Sequence, residues 1–404
     1  MAVGQCDFPT MHPVKGVQLG TSNAGIKQTV RDDILIIAMT ETGSCAAVFT
    51  QNAFCAAPVL LAREHLNMHP RWLLVNSGNA NAGTGKQGLQ DAFACCASLA
   101  GEVDSIAQQV LPFSTGVIGE PLPVHKLTKA LPAAVANLNE RNWDLASRAI
   151  MTTDTFPKGA SVIVDIAGHP VTITGISKGA GMIQPNMATM LGFIACDARI
   201  ENTLLQQCLS EAVEHSFNRI TVDGDTSTND ACVLLASGCS DAPEILADTP
   251  HYESFAAGVN AVCKRLAELI IRDGEGATKL IRIVVEQAQT QDEAVLVGKT
   301  IAHSPLVKTA FFASDPNWGR ILAAVGRAGV IDMDLERIEI YLGTVCIVEN
   351  GGRSASYTEQ DGQRVMHQEE ITVTVRLGRG QACAEVLTCD FSYDYVKINA
   401  EYRT

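Results

Sequence analysis

The sequence KGAGMIQPNMATML, residues 178–191, lies near the middle of this chain of 404 residues and sets its organisation. A strand-like apolar run, residues 171–176, leads into it, and a second apolar run, residues 190–196, leads out. Two glycines and a proline inside the stretch argue against a helix there. The pattern therefore predicts a rigid loop between two strands, with one polar nucleophile candidate, Thr189, at the start of the second strand.

Composition places the chain among ordinary globular proteins that are large enough for two or three domains. Apolar residues make up 47% and charged residues 18%. The formal net charge of −14 disfavours nucleic acid as a partner, because nonspecific binding to it needs a basic surface. No apolar run approaches the ~18 residues that span a bilayer, and the first residues have no signal pattern. We therefore expect a cytoplasmic protein without a membrane partner, whose 13 cysteines are mostly reduced and buried.

Apolar periodicity predicts strands and helices that are interspersed without a regular βαβ order. Predicted strands cover residues 34–39, 46–49, 72–75, 161–166, 171–176, 219–222 and 280–287, and predicted helices cover residues 57–69, 87–100, 105–111, 123–138, 204–216, 252–271 and 317–327. Residues 112–123 are predicted as a loop. This order favours an α/β protein of the mixed α+β class, a layered sandwich of sheets and helices. A late boundary near residues 280–290 suggests a smaller C-terminal α+β domain, about residues 285–404.

Other motifs compete for the function. Residues 83–88 (GTGKQG) match the dinucleotide pattern G-x-G-x-x-G, but ten loop residues separate the preceding strand from the helix, where the fingerprint needs a tight turn. His65 and His69 have the i, i+4 spacing of zinc ligands but lack the glutamate between them, so a solvated helix end is the preferred interpretation. The polar run 223–230 begins like a calcium loop and lacks its glycine and its final glutamate. We therefore predict no metal.

Thr189 offers a chemistry that its own backbone can complete. A threonine hydroxyl is a weak nucleophile and needs a base. If the Ala188–Thr189 peptide bond is cut, Thr189 gains an α-amine whose pKa, about 7.7–8.0 when unperturbed, suits a base at cellular pH. The hydroxyl of Thr189 could itself cut the bond by attacking the Ala188 carbonyl. One residue would then supply both the cleavage and the later nucleophile.

These segments resemble the ornithine acetyltransferase family, which includes the bifunctional glutamate N-acetyltransferases of arginine biosynthesis. Besides residues 178–191, the resemblance covers, in family order, residues 114–119 (STGVIG), 151–155 (MTTDT), 220–230 (ITVDGDTSTND), 273–279 (DGEGATK), 314–320 (SDPNWGR) and 399–404 (NAEYRT). It thus extends over nearly the whole chain. Ala180 and Gln184 depart from the pattern, in which serine and histidine are common, and neither is the nucleophile.

The resemblance implies a self-processing enzyme with an N-terminal threonine, cleaved into an α chain, 1–188, and a β chain, 189–404. Thr189 would take acetyl from N-acetylornithine and pass it to glutamate, while Thr115 and Gly116 stabilise the oxyanion. No metal and no bound organic cofactor is expected, and whether acetyl-CoA also serves as a donor is left open. Family members are α₂β₂ assemblies, so self-association of cleaved chains is expected.

The resemblance also implies substrate contacts at Thr152, Lys178, Thr189, Glu275, Asn399 and Thr404. Charge suggests Lys178 or the 399–404 tail for the α-carboxylates, and Glu275 for the ammonium group of ornithine. Without the resemblance, Lys178 and Glu275 would be interpreted as exposed surface charges. Two alternatives remain: a self-cleaving aminopeptidase or amidohydrolase with the same nucleophile and water as acceptor, and a non-enzymatic or nucleotide-binding protein built on residues 83–88.

Overall fold

The computed structural model describes residues 3–4, 7–27, 31–184 and 190–401. The strands are β1 Val17–Ser22, β2 Ile34–Met39, β3 Ser44–Phe49, β4 Trp72–Asn79, β5 Val110–Val117, β6 Lys158–Ile166, β7 His169–Lys178, β8 Leu191–Cys196, β9 Ile220–Thr221, β10 Ala231–Ala236, β11 Leu280–Ala288, β12 Glu339–Leu342, β13 Val345–Glu349, β14 Gly352–Arg353, β15 Glu370–Arg376 and β16 Ala382–Cys389. The helices are α1 Ala57–His65, α2 Gly85–Glu102, α3 Val124–Ala136, α4 Trp143–Ala149, α5 Asn202–Glu214, α6 Pro250–Arg272, α7 Gln291–Ala302, α8 Pro305–Phe312, α9 Trp318–Gly326, α10 Glu359–Met366 and α11 Tyr393–Ala400.

Two sheets pack face to face at the centre of the molecule. The first has the strand order β1-β2-β4-β5, and the second has the order β3-β10-β8-β7-β6. Successive side chains of a strand point to opposite faces, and one alternate set from each sheet fills the space between them. Phe113 of β5 and Phe193 of β8 meet there edge to face, with 5.2 Å between their ring centroids. The packing of these two sheets brings the first third of the chain against its middle.

Helices cover both outer faces of the sandwich. α2 and α3 pack on the first sheet, and α5 and α6 pack on the second. In β2, Ile34 and Ile36 face the helices, whereas Leu35 and Ile37 face the other sheet. Strands that are covered on both faces need apolar residues at nearly every position, and all six residues of β2 are buried. The four layers confirm the predicted mixed α/β class.

A third sheet, with the order β14-β13-β12-β15-β11-β16-β9, carries its own hydrophobic cluster against α7, α8 and α9. Its strands come from residues 280–389 with one exception, β9, which pairs parallel with β16. The proposed subdomain of residues 285–404 stays a prediction. Within the described ranges, no helix combines the length and the apolar character needed to cross a bilayer.

The stretch 178–191 joins two neighbouring strands of the second sheet. β7 ends at Lys178, β8 begins at Leu191, and these two residues face each other in an antiparallel pair. β10 lies on the other side of β8 and runs parallel to it. The stretch therefore connects adjacent strands, as predicted, beside the polar loop 223–230 that leads into β10. Residues 185–189, with the predicted cleavage site, lie outside the described residues.

Two sequence-based predictions are wrong. The pattern predicts a helix over 105–111 and a loop over 112–123, whereas a 3₁₀ turn at Ala107–Gln109 leads directly into β5. β5 is an edge strand, and an edge position tolerates Pro112, which interrupts the strand pattern in the sequence. His65 is only 2% exposed, and its Nδ1 lies 2.8 Å from the Val110 carbonyl oxygen, so the solvated helix end applies to His69 alone.

A buried group of three charges connects separate parts of the fold. Lys158 Nζ lies 2.6 Å from Asp154 Oδ1 and 2.6 Å from Asp273 Oδ2, and all three side chains are completely buried. Burial alone would raise the pKa of Asp154, but the ammonium groups of Lys158 and Lys178 hold it below its ordinary value. Burial would lower the pKa of Lys158, but the two carboxylates raise it. The group joins the segment before β6 to the end of α6.

We predict that Lys158→Met lowers the free energy of unfolding by about 3–5 kcal/mol, because it leaves two buried carboxylates without their counter-ion. Urea denaturation at neutral pH measures this change. The pKa of Asp154 is lower in the folded chain than in the unfolded chain, so its contribution is complete above about pH 4 and is lost as the pH falls further. Burial raises the pKa of Asp273 instead, so the contribution of Asp273 has the opposite sign. Without Lys158, both buried carboxylates are protonated more readily in the folded chain. The variant should therefore lose less stability on acidification than the wild type.

The control is Lys15→Met, which makes the same chemical change in an exposed pair. Lys15 Nζ lies 3.6 Å from Asp241 Oδ2, with the side chains 61% and 84% exposed. Its loss should cost less than about 1 kcal/mol. Equal destabilisation by the two substitutions would contradict the importance of the buried group.

Candidate active site

A cavity of about 270 Å³ opens where β5 and β7 end. Six of the nine residues predicted from the sequence as site residues line it: Thr115, Gly116, Thr152, Lys178, Glu275 and Asn399. The remaining lining residues are Ala80, Val117, Ile118, Thr153, Gly181, Met182, Ser227 and Asn229. The other three predicted residues, Ala188, Thr189 and Thr404, lie outside the described part of the chain. The fold therefore gathers residues from distant segments around one space.

Thr115 and Gly116 lie at the end of β5, where its register with β4 becomes irregular. Gly116 has a φ of +134°, in the region that favours glycine. A Cβ at this position would lie 2.3 Å from the carbonyl carbon of Gly78 on β4. A side chain at residue 116 would therefore push the two strands apart. The close approach of their backbones requires glycine, which leaves this part of the cavity wall as bare main chain.

Asn229 is a cavity residue that the sequence patterns did not single out. It is 7% exposed, and its side-chain amide donates to the carbonyl oxygens of Ala80, at 2.6 Å, and Ser114, at 2.9 Å. These bonds tie the loop before β10 to the first sheet, directly beside Thr115. In the sequence, the polar run 223–230 is the feature that contains Asn229. By itself, this run resembles an incomplete calcium-binding loop and does not indicate a cavity residue.

Lys178 enters the cavity from the second sheet. Its Nζ donates to Thr115 Oγ1 at 3.0 Å, so this hydrogen bond crosses from one sheet to the other. The N–H of the next residue, Gly179, donates to Asp154 Oδ1 at 2.8 Å, which fixes the backbone beside the lysine. Among the described residues, no carboxylate forms an ion pair with Lys178. Its charge is therefore available to an anionic ligand.

Glu275 and Asn399 form the acidic side of the cavity. Asn399 Nδ2, on α11, donates to Glu275 Oε2 at 3.0 Å. The Glu275 carboxylate is packed so closely against Gly181 that a Cβ there would lie 2.4 Å from it. Glu275 is only 8% exposed, so its interpretation as an exposed surface charge is wrong. A partly buried acid that an amide holds in place is suited to a cationic group.

The backbone of Thr152 is held by two charged residues. Its N–H donates to Asp154 Oδ2 at 2.9 Å, and its carbonyl oxygen accepts from Arg31 Nη2 at 3.0 Å. Asp154 also accepts from Gly179, and Asp273 lies two residues before Glu275. The buried charge group therefore positions the backbone beside three predicted substrate contacts. Asp154 and Asp273 occur within family segments and Lys158 does not, and none of the three carries a local signal of burial.

Asp223 anchors the chain just before residues 185–189, which lie outside the described residues. Its Oδ2 accepts from the Met182 N–H at 2.7 Å, and its Oδ1 accepts from the Ile183 N–H at 2.9 Å. Met182 has a φ of +54°, an unfavourable conformation for a side chain of this kind. Burial raises the pKa of Asp223 above its ordinary value, although these N–H groups oppose the shift. The sequence patterns place this aspartate in a family segment and in an incomplete calcium loop, and neither indicates that it binds backbone N–H groups.

The glycine-rich segment 83–88 includes the first turn of α2, and side-chain hydrogen bonds connect it to Asn81. Thr84 Oγ1 donates to Asn81 Oδ1 at 2.8 Å, and Asn81 Nδ2 donates to the Gly88 carbonyl oxygen at 2.9 Å. In a dinucleotide fingerprint, the pyrophosphate occupies the space next to this turn. Here the side chains of Asn81 and Thr84 pack against Gly88 and bond to each other and to its carbonyl oxygen, which disfavours the nucleotide-binding alternative. No cluster of three or more metal-ligating side chains was found within the described ranges.

Comparisons with known proteins identify the family of this chain. A family profile described as the ArgJ family matches residues 18–404. The arginine biosynthesis bifunctional protein ArgJ of Methylococcus capsulatus is 64% identical over 392 residues, which cover 97% of this chain and 96% of that protein. The protein of the same name from Pseudomonas fluorescens is 54% identical over 405 residues, which cover 100% of both chains.

A solved structure of this kind also matches. The crystal structure of the arginine biosynthesis bifunctional protein ArgJ from Bacillus halodurans is 39% identical with a TM-score of 0.50, and the match covers 52% of this chain and 98% of that chain. The whole-chain matches confirm the resemblance that the motifs indicated. The chain therefore belongs to the ArgJ family, which is the ornithine acetyltransferase family of arginine biosynthesis.

Proposed function

We propose that this enzyme transfers acetyl from N-acetylornithine to glutamate through an ester on Thr189, after cutting its own Ala188–Thr189 bond. The observation that supports this most directly is the composition of the cavity. It combines a hydroxyl and a bare backbone segment, at Thr115 and Gly116, with one cationic and one anionic side chain. Amino-acid substrates carry both charges, and acyl transfer needs hydrogen-bond donors for an oxyanion.

Self-cleavage would begin with attack of the Thr189 hydroxyl oxygen on the Ala188 carbonyl carbon. The C–N bond breaks, the hydroxyl proton moves to the freed α-amine, and an ester links the two residues. Water then hydrolyses this ester to the Ala188 carboxylate and the Thr189 hydroxyl. The chain on both sides is anchored: Asp223 holds Ile183, and the Met190 carbonyl oxygen accepts from the Ala231 N–H at 3.0 Å.

The size of the matched crystal chain supports two-chain processing. That chain is covered almost completely, yet the match spans only 52% of this one. A β chain of residues 189–404 would likewise make up just over half of the sequence. A cleaved product of this size is what the proposed mechanism requires.

Acetyl transfer would use the new chain terminus as both nucleophile and base. The α-amine takes the proton from the Thr189 hydroxyl as the oxygen attacks the acetyl carbonyl carbon. Thr115 and Gly116 would donate to the oxyanion of the tetrahedral intermediate. As the amide bond breaks, the proton passes to the leaving amine of ornithine. The α-amine of glutamate then attacks the ester and restores the threonine.

The charges of the cavity suggest how each substrate is oriented. Lys178 would bind an α-carboxylate, and Glu275, held by Asn399, would bind the side-chain ammonium of ornithine. Thr152 lines the same space and would contact either substrate through its hydroxyl. The contact assigned to Thr404 stays a prediction, because that residue lies beyond the described ranges.

We also propose a second acetyl donor, an oligomeric assembly and a cellular compartment for this enzyme. The names of the relatives contain the word bifunctional, and we propose acetyl-CoA as a second acetyl donor. We propose no bound cofactor, since the acetyl carrier is the protein itself. We propose an α₂β₂ assembly of cleaved chains in the cytoplasm. Free and mostly buried thiols among the described cysteines fit such a reducing compartment.

Mass spectrometry of the purified protein with N-acetylornithine tests the proposal. We expect two fragments, with one acetyl group on the larger at Thr189, and ornithine release that continues only when glutamate is supplied. Thr189→Ala should remain an intact chain without acetyl transfer. Thr128→Ala, the same change at a partly exposed position on α3, should behave as the wild type. Release that proceeds without glutamate would favour the hydrolase, and normal cleavage of Thr189→Ala would refute the mechanism.

Glu275→Gln tests the assignment of the ammonium site. Gln keeps an oxygen for the Asn399 amide but loses the charge, and a hydrogen bond to a charged group contributes about 1.5–3 kcal/mol. We expect the KM for N-acetylornithine to rise at least about tenfold, with a smaller effect on the KM for glutamate. Asp394→Asn, an exposed acid on α11, is the matched control and should change neither. An unchanged KM in Glu275→Gln would exclude this role.

Asp223→Ala tests the anchoring of the cleavage segment. Loss of both acceptors frees the backbone at Met182 and Ile183, and we expect fragments to appear on the order of 10- to 100-fold more slowly, since small misplacements of reacting groups have effects of this size. A time course after cell-free synthesis, followed by gel electrophoresis, measures the rate. Asp225→Ala removes an exposed acid from the same loop and should not slow cleavage. Equal rates in the two variants would contradict the anchoring role.

A further inference from the structure

The hydrogen bond between Lys178 and Thr115 has only one direction. An ammonium group carries donors and no acceptor, so Thr115 Oγ1 must accept at the observed 3.0 Å. The hydroxyl proton of Thr115 is then directed away from the lysine. Within the described part of the chain, no acceptor takes that proton. Thr115 is 7% exposed and lines the cavity, so that space can receive the proton.

Both partners of this hydrogen bond are held by separate structures. On the second sheet, Lys178 is opposite Leu191, and the N–H of Gly179 is bound by Asp154. On the first sheet, Asn229 holds the carbonyl oxygen of Ser114, the residue before Thr115. The contact therefore depends on the packing of the two sheets rather than on a flexible loop. A hydroxyl fixed at both its oxygen and its backbone is oriented before any ligand arrives.

We propose that Lys178 is a positioning residue, whose ammonium orients the Thr115 hydroxyl so that its proton faces the oxyanion of the tetrahedral intermediate. This inference rests on the proposed function and adds to it, because the resemblance implies only a substrate contact for Lys178. The nearby charge also polarises the O–H bond, which makes the hydroxyl a stronger donor. Donors that are oriented in advance act mainly on the transition state. We therefore expect the loss of Lys178 to lower kcat rather than to raise KM.

A double-mutant cycle with Lys178→Met and Thr115→Val separates this role from substrate binding. The rate of Thr189 acetylation is measured in single-turnover experiments. It is normalised to the fraction of protein that is cleaved, which mass spectrometry determines. Each single variant should lower the acetylation rate by about 10²–10³-fold, as expected for the loss of one oxyanion donor. The double variant should be only slightly slower than Thr115→Val alone. Lys178→Arg, which keeps a cationic donor, should recover part of the rate.

Two outcomes would overturn the proposal. In the first, the two substitutions lower the rate independently, so that their effects multiply in the double variant. In the second, Lys178→Met raises the KM for either substrate and leaves kcat unchanged, which would make the lysine a carboxylate-binding group only. If the precursors of these variants cleave too slowly for the assay, the cleavage rates of the single and double variants are compared instead. Effects of the two substitutions that multiply would again count against the proposal.

The controls separate this inference from folding and from the proposed function. Lys129→Met makes the same change on the exposed face of α3 and should retain the wild-type rate and melting temperature. A wild-type protein that forms no acetyl-Thr189 would refute the proposed function itself. A wild type that does form acetyl-Thr189, combined with multiplicative effects in the cycle, would refute only the role of Lys178.

Discussion

The site depends on the buried contact of Lys158 with two aspartates. A buried charge that loses its partner costs more free energy than the pair gains, so the three side chains cannot separate while the protein stays folded. Asp154 accepts from the backbone N–H groups of Thr152 and Gly179, and Asp273 precedes Glu275 by two residues. One electrostatic constraint thus holds together three chain segments that each contribute to the cavity wall.

The two sheets supply different parts of the cavity, and Lys178 links them. The first sheet contributes the irregular strand end at Thr115 and Gly116, and the second contributes the lysine that donates to Thr115. The acid, Glu275, comes from the loop after α6 and is held by the C-terminal helix α11. Among the described residues, Lys178 has no ion-pair partner although the net charge of the chain is −14. Opposite charges on a small cavity suit zwitterionic ligands.

Much of the fold could be predicted from periodicity, and the failures have physical causes. The helix α6 and the hairpin of β6 and β7 follow their apolar patterns closely. β5 was missed because Pro112 breaks a strand pattern, although an edge strand tolerates it. The sequence does not indicate the anchoring role of Asp223, because nothing local shows that its carboxylate accepts the N–H groups of residues 41 and 40 positions away.

The sequence by itself determined the family, the mixed α/β class and six of the residues that line the cavity, because motif order and apolar spacing can be recognised without the fold. Only the tertiary structure decided that Glu275 is buried rather than exposed. It also decided that Lys178 donates to Thr115, a residue 63 positions earlier. Burial and the direction of a hydrogen bond depend on which faces of the two sheets meet, and that packing arises from contacts between distant segments.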